Sequence, residues 1–248
     1  MKKVFGMATI PSRQKNLQQV LDTIIPNVDY GYLILNNYTE IPKFLNNKEY
    51  KKVVILRSQD ISDFKDGAKL YPMIYLEEEV YYFSCDDDIL YPKNYFDYMA
   101  RRSAEKPAII SQYGYKFREN TPIVTDFISS ITDKETWYLI KREQDLRVPF
   151  VGTGVMCINT KYYTIKSKEA FMQQYIPDVG ADIWLAISCY KKGIPLYCIK
   201  SDIRGCLLKK LVYEKTIHRY LFKNPNDRHV REINKFIVRL INKVFFKV

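Results

Sequence analysis

Residues 81–95 read YYFSCDDDILYPKNY, and the carboxylates Asp86, Asp87 and Asp88 follow directly on an apolar run. Like charges so close together repel one another unless a cation sits among them. Two chemistries answer that problem. In one, the acids splay into water on an ordinary turn, with Asp88 placed to cap the next helix. In the other they hold Mg2+ or Mn2+, ions that take a few carboxylate oxygens and complete their shell with water and phosphate. An Asp-x-Asp turn can direct one carboxylate to the ion and the other to a ribose hydroxyl or a metal-bound water.

Three further stretches carry reactive side chains. In ATIPSR, residues 8–13, Pro11 fixes a turn from which Thr9 and Arg13 can frame a planar base and counter a phosphate. No GxGxxG follows, which argues against a nicotinamide or flavin enzyme. In DFKDGAKLYP, residues 63–72, Gly67 permits a tight turn into a helix whose free N–H groups attract anions. Lys69 in that turn reaches a diphosphate or is a solvated surface lysine, and Asp66 can cap the helix. In GADIWLA, Asp182 is either a helix N-terminal acid favoured by the macrodipole or a general base, with Asp178 its nearest competitor.

The elements that position these residues alternate in the α/β manner. KKVFGMATI, GYLILN, KKVVILR, VYYFS and PAIISQ read as strands. Between them, QKNLQQVLDTII places Leu17, Val20, Leu21 and Ile24 on one helical stripe and stops at Pro26. GAKLYPMIYLEEE and PKNYFDYMARR read as helices, the second opened by Pro92 at its first position. The expected result is a mainly parallel open sheet, in which ligands bind at the carboxyl ends of the strands, where ATIPSR and the acidic triplet fall. Residues 113–150 read as a lid or as a long connection. FVGTGVMCIN follows as a strand whose Gly152 and Gly154 mark a close backbone approach. PDVGADIWLAISCYKKGI gives a helix, and PLYCI a last short strand.

The 248 residues are long enough for a full core, and 47% hydrophobic content argues for a folded chain. The start, MKKVFGMATIPSRQ, lacks the apolar core of a secretory signal, and no run of about 18 apolar residues is present. Five cysteines without pattern give neither a disulfide framework nor a zinc spacing. The expected location is therefore cytoplasmic. Of the net charge of +11, residues 201–248 contribute +8, from 12 Lys/Arg against 4 Asp/Glu. The body thus lacks the basic aromatic face of a nucleic-acid binder, and the excess marks the tail as a docking device. In HVREINKFIVRLINKVFFKV an apolar stripe faces away from Arg231, Lys235, Arg239 and Lys243. Such a helix lies peripherally on an anionic membrane surface or packs its stripe on the domain.

Taken in order, ATIPSR, DGAKLYP, CDDDILYP, VGTGVMCI and ADIWLA resemble glycosyltransferases of the GT-A fold over about residues 4–220. The resemblance is to the inverting, family-2-like enzymes of bacterial capsule and surface-glycan assembly. It implies a Rossmann-like, mainly parallel sheet flanked by helices, in a domain over 1–220. Residues 1–112 would bind the nucleotide sugar and 113–220 the acceptor, with 221–248 a basic amphipathic helix. It implies Thr9, Pro11 and Arg13 at the base, Asp66 and Lys69 at the diphosphate, and Asp86 and Asp87 on the sugar nucleotide. It puts Mn2+ or Mg2+ on Asp88 and Asp86 and makes Asp182 the catalytic base. The implied partners are a nucleotide-diphosphate sugar, UDP-linked by preference, and a glycan or lipid-linked acceptor. Two positions depart from the pattern. Relatives often carry a second acid where this chain has Ala181, and a late histidine often completes the metal site, for which His218, then His229, is the candidate. The same residues also admit a non-catalytic sugar-nucleotide or glycan-binding module, or a metal-dependent nucleotidyltransferase or phosphohydrolase.

Overall fold

The computed structural model describes residues 1–117, 131–132, 143–177, 179–200, 209–210 and 228–247. Thirteen strands follow in chain order: β1 Lys2–Thr9, β2 Tyr30–Leu35, β3 Val53–Arg57, β4 Val80–Asp86, β5 Ile89–Leu90, β6 Ile109–Ser111, β7 Gly114–Phe117, β8 Ile131–Thr132, β9 Leu146–Arg147, β10 Phe150–Val151, β11 Val155–Asn159, β12 Leu196–Cys198 and β13 Lys209–Lys210. Eight of them form the central sheet, in the order β3-β2-β1-β4-β11-β6-β12-β9. β11 and β9 run against the other six, so the sheet is mostly parallel, as the alternation of strands and helices predicts.

Side chains along the inner strands alternate between two buried layers, because successive residues of a strand point to opposite faces. Val4, Tyr32, Ile34 and Tyr82 join the layer that holds Leu70, Met73 and Trp184. Phe5, Met7, Leu33, Leu35 and Phe83 join the other, under the helix Gln14–Ile24 and the helix Tyr95–Ala104. The first of these helices buries the stripe its spacing predicts, Leu17, Val20, Leu21 and Ile24. The helix Ala181–Lys191 is apolar nearly all round and buries every residue from Ile183 to Cys189.

Several local expectations are corrected. GAKLYPMIYLEEE does not form an α-helix. Residues Lys65–Tyr75 wind as a 3-10 helix around Pro72, which has no N–H to give to an α-helical ladder. Pro92 does not open the next helix, which begins at Tyr95 behind a turn in which the Tyr95 N–H bonds the Pro92 carbonyl at 2.9 Å. Nor does Asp88 cap it; Asn94 is the N-cap residue. FVGTGVMCIN is two strands, β10 and β11, parted by Gly152–Gly154. β11 inserts antiparallel between β4 and β6, which the strand–helix order does not foretell.

The tail forms the helix Arg228–Ile241 and then a wider turn over Asn242–Phe246. Its apolar stripe meets the domain rather than lying open to a membrane: Ile237 and Ile241 are buried in the same layer as Trp184. Phe245 packs against Phe117, Phe150 and Tyr190. Among the described residues no helix is long and apolar enough to cross a membrane.

Gly6 of β1 lies directly under the 3-10 helix, where an added Cβ would collide with the Lys69 carbonyl oxygen and the Tyr82 hydroxyl. Overpacking of this kind costs about 1–3 kcal/mol. Gly6→Ala is therefore expected to lower the urea midpoint by that free energy, and an unchanged midpoint would contradict the close approach.

Candidate functional site

The last residue of β4 is Asp86, so the acidic triplet starts on the sheet and turns off its carboxyl edge. Residues 82 and 86 of a strand face the same side, and both engage Lys69. The Tyr82 hydroxyl donates to the Lys69 carbonyl at 2.6 Å, and the Lys69 ammonium donates to Asp86 Oδ1 at 2.5 Å. Lys69 is only 4% exposed. The solvated surface lysine that the sequence allows is thereby corrected. Pro72 and the 3-10 winding turn the segment inward, and β1 approaches it through Gly6.

Asp66 and Asp182 complete the group around that ammonium. Asp66 does not cap its own segment, as its spacing suggests. Its Oδ2 accepts the N–H of Ala181 at 2.9 Å and so caps the helix Ala181–Lys191 from 115 residues away. Asp182, in the first turn of that helix, accepts from the Thr153 N–H at 2.8 Å and the Thr153 hydroxyl at 2.6 Å. Gly154 then passes so close to Asp86 that a side chain there would collide with its carboxylate. Tyr91 clamps the same junction: its hydroxyl accepts from the Asp86 N–H at 2.8 Å and donates to the Gly154 carbonyl at 2.5 Å. Thr153 and Tyr91 escape the sequence reading. Only the paired glycines of VGTGV signal them, by marking a backbone that must come close to another group.

On the other side of the triplet, Asp87 is buried and pairs with the Arg13 guanidinium, which also lies 3.9 Å from Asp88 Oδ2. The Thr9 hydroxyl lies near enough to Asp87 to favour its charged form. Pro11 is exposed at the mouth of a cavity of about 470 Å³ that it lines with Gln14, Tyr38, Ile41 and Phe44. The structure thus brings Thr9, Arg13, Asp87 and Asp88 into one cluster and Asp66, Lys69, Asp86 and Asp182 into a second, joined through the triplet. His218 and Asp178 lie outside the described residues, and His229 is on the tail helix.

Burial dominates the electrostatics. It pushes the Asp66, Asp87 and Asp182 carboxyls above the ordinary range, against the pull of Lys69 on Asp66 and Asp182 and of Arg13 on Asp87. Burial pulls the Lys69 ammonium down, but Asp86, Asp66 and Asp182 together outweigh it and hold it above its usual value. Five carboxyls share two basic side chains. Protons on the buried acids can absorb the surplus, and so can a further cation. A diphosphate is itself anionic and needs that cation to enter. Among the described residues no three His, Cys, Asp or Glu side chains form a ready-made ligand set. An ion completed by water and phosphate would need only one or two carboxylates from the protein.

No family model matches the chain, and no curated protein does. Among solved structures, the inositol-1-phosphate CTP transferase from T. maritima is similar at 14% identity and a TM-score of 0.47, covering 96% of each chain. A likeness at that level carries no argument about chemistry.

Removing Lys69 leaves its carboxylates without their shared cation, and an uncompensated buried charge costs about 3–5 kcal/mol. Lys69→Met is expected to lose that much at neutral pH. Carboxyls with raised folded pKa values stabilise the fold below their unfolded value and lose that contribution as pH rises through the folded one. The deficit of Lys69→Met should therefore shrink as pH falls toward about 4. Melts at several pH values read this directly, and a pH-independent deficit would contradict the assignment.

Proposed function

We propose that the chain is an inverting glycosyltransferase that moves a sugar from a nucleotide-diphosphate sugar to a hydroxyl of a glycan or lipid-linked acceptor. The observation that carries the reading is the ion pair of the buried Lys69 ammonium with Asp86 at the carboxyl edge of a mostly parallel sheet, with Asp182, held by Thr153, and Asp66 near enough to raise that ammonium further. In this reading Asp182 would serve as the basic group for the acceptor and Lys69 as the cationic group for the leaving diphosphate.

In this reading Asp182 accepts the acceptor hydroxyl proton as the new bond forms to the anomeric carbon and the bond to the diphosphate oxygen breaks. Thr153 fixes Oδ1 of that carboxylate by two hydrogen bonds, which leaves Oδ2 to take the proton. Lys69 and Arg13 are the fixed positive charges near which negative charge grows on the departing nucleoside diphosphate. Mn2+ or Mg2+ held by Asp86 and Asp88 would neutralise further charge on the diphosphate. Thr9, Pro11 and Arg13 face the nucleoside, with the cavity beside Pro11 open to it. Asp87, salt-bridged to Arg13, holds that arginine in place rather than touching the sugar.

Asp182 must be ionised to act. With its carboxyl raised by burial, transfer should fall away on the acid side at a pH above the ordinary aspartate value of about 3.9. Screening nucleotide sugars for a thermal shift that depends on Mn2+ identifies the donor. With that donor, Asp182→Asn should lower transfer by at least about a thousandfold, a general-base effect with its geometry kept, while nucleotide binding survives. Asp88→Ala should weaken the metal-dependent binding instead. Transfer retained by Asp182→Asn would remove the base assignment. Pyrophosphate released from a nucleoside triphosphate and a sugar phosphate would identify a nucleotidyltransferase in its place.

A further inference from the structure

The docked tail helix leaves its charged half outward. Ile237 and Ile241 are buried in the domain, whereas Arg231, Lys235, Arg239 and Lys243, four residues apart, are all exposed. At the helical 100° per residue, these side chains sweep a single face. Phe236 lies on that face too and is 48% exposed, an apolar ring set among cations. One acid interrupts the row: Glu232 pairs with Lys235 at 3.0 Å.

We propose that this face docks the protein on an anionic lipid surface through its charges and the Phe236 ring, with the apolar stripe remaining in the domain. The alternative in which the stripe itself enters the bilayer would require Ile237 and Ile241 to leave the core, at a cost that the exposed face does not incur. Three features select a lipid surface. The charge is concentrated in the tail while the body is nearly balanced. Arg231, Lys235 and Arg239 share one face of a single helix and Lys243 follows in the wider turn after it, so several cations meet a plane at once. An exposed aromatic ring at the edge of that face suits the interface between headgroups and acyl chains, where a flat array of phosphates is found. The orientation also fits the site. Phe245, just past the helix, packs on Phe150, which leads into the Gly152–Gly154 segment that holds Asp182. The inference does not depend on the reaction proposed above, and its test contains no activity measurement.

Full-length protein is sedimented with vesicles of phosphatidylcholine alone and of phosphatidylcholine mixed with phosphatidylglycerol. Pelleting is expected with the anionic vesicles only, at about 0.1 M salt, and is expected to vanish near 1 M salt as the charges are screened. Each cation near such a surface is worth about a fivefold change in partition, so the triple variant Arg231→Gln, Arg239→Gln, Lys243→Gln should bind about a hundredfold more weakly. Phe236→Ala should weaken binding without changing its salt dependence. The substituted side chains are exposed, so melting temperatures should match that of the parent chain. Equal pelleting with neutral vesicles, salt-resistant binding, undiminished binding by a folded triple variant, or capture of polynucleotide with no vesicle binding would each overturn the proposal.

Discussion

An ammonium sealed inside a protein is tolerated only with carboxylates against it, and the Lys69 ammonium organises this structure. Its desolvation cost runs to several kcal/mol, and it is opposed by the direct ion pair with Asp86 and by the nearby charges of Asp66 and Asp182. They come from β4, from the 3-10 helix and from the helix Ala181–Lys191. The requirement therefore ties the sheet edge to two segments that the chain separates widely. Gly6 and Tyr82 set the backbone of Lys69, Ala181 fixes Asp66, Thr153 fixes Asp182 and Tyr91 fixes Asp86. Each anchor is a backbone or hydroxyl hydrogen bond, a type of contact that holds orientation without adding charge.

The three aspartates of the triplet are consequently unequal. Asp86 ends the strand and shares the Lys69 side, while Asp87 is buried on the Arg13 side under the Thr9 hydroxyl. The turn hence joins two clusters, one rich in acids near Lys69 and one built around an arginine beside the open cavity. Each cluster thus holds one fixed positive charge against a larger number of carboxyls. Repulsion within the triplet is relieved by directing Asp86 and Asp87 to different basic partners, Lys69 and Arg13, where the chain turns off the strand.

The tail solves a separate problem with the same economy of faces. Half of the helix Arg228–Ile241 extends the core with Ile237 and Ile241, and the other half turns Arg231, Lys235 and Arg239 to solvent. Phe245 links it to the strand pair beside the Gly152–Gly154 segment. A surface that captures the tail thus lies next to the elements that carry Asp182.

Much of the scaffold was legible in the residues themselves. Continuous apolar runs marked β1 to β4, the stripe Leu17, Val20, Leu21 and Ile24 marked the first long helix, and the acids stood at strand ends. Gly152 and Gly154 announced a close approach because a missing Cβ is a local fact. These are properties of short segments, and neighbouring residues suffice to decide them. What lay beyond reach was every pairing between distant segments. The antiparallel entry of β11 depends on which strand edge is left open after β4 has paired. Asp66 serves a helix 115 residues later because the Ala181 N–H has no partner within its own turn. Lys69 is paired in the interior by Asp86 of β4, with Asp66 one 3-10 turn before it and Asp182 from a distant helix adding to the field, and the sequence marks neither Asp86 nor Asp182 as its partner. The sequence by itself thus determined which segments are strands and helices and which residues could carry charge to the sheet edge. Tertiary structure alone decided which charges meet, because the free energy of a buried ion depends on partners that the chain brings from afar.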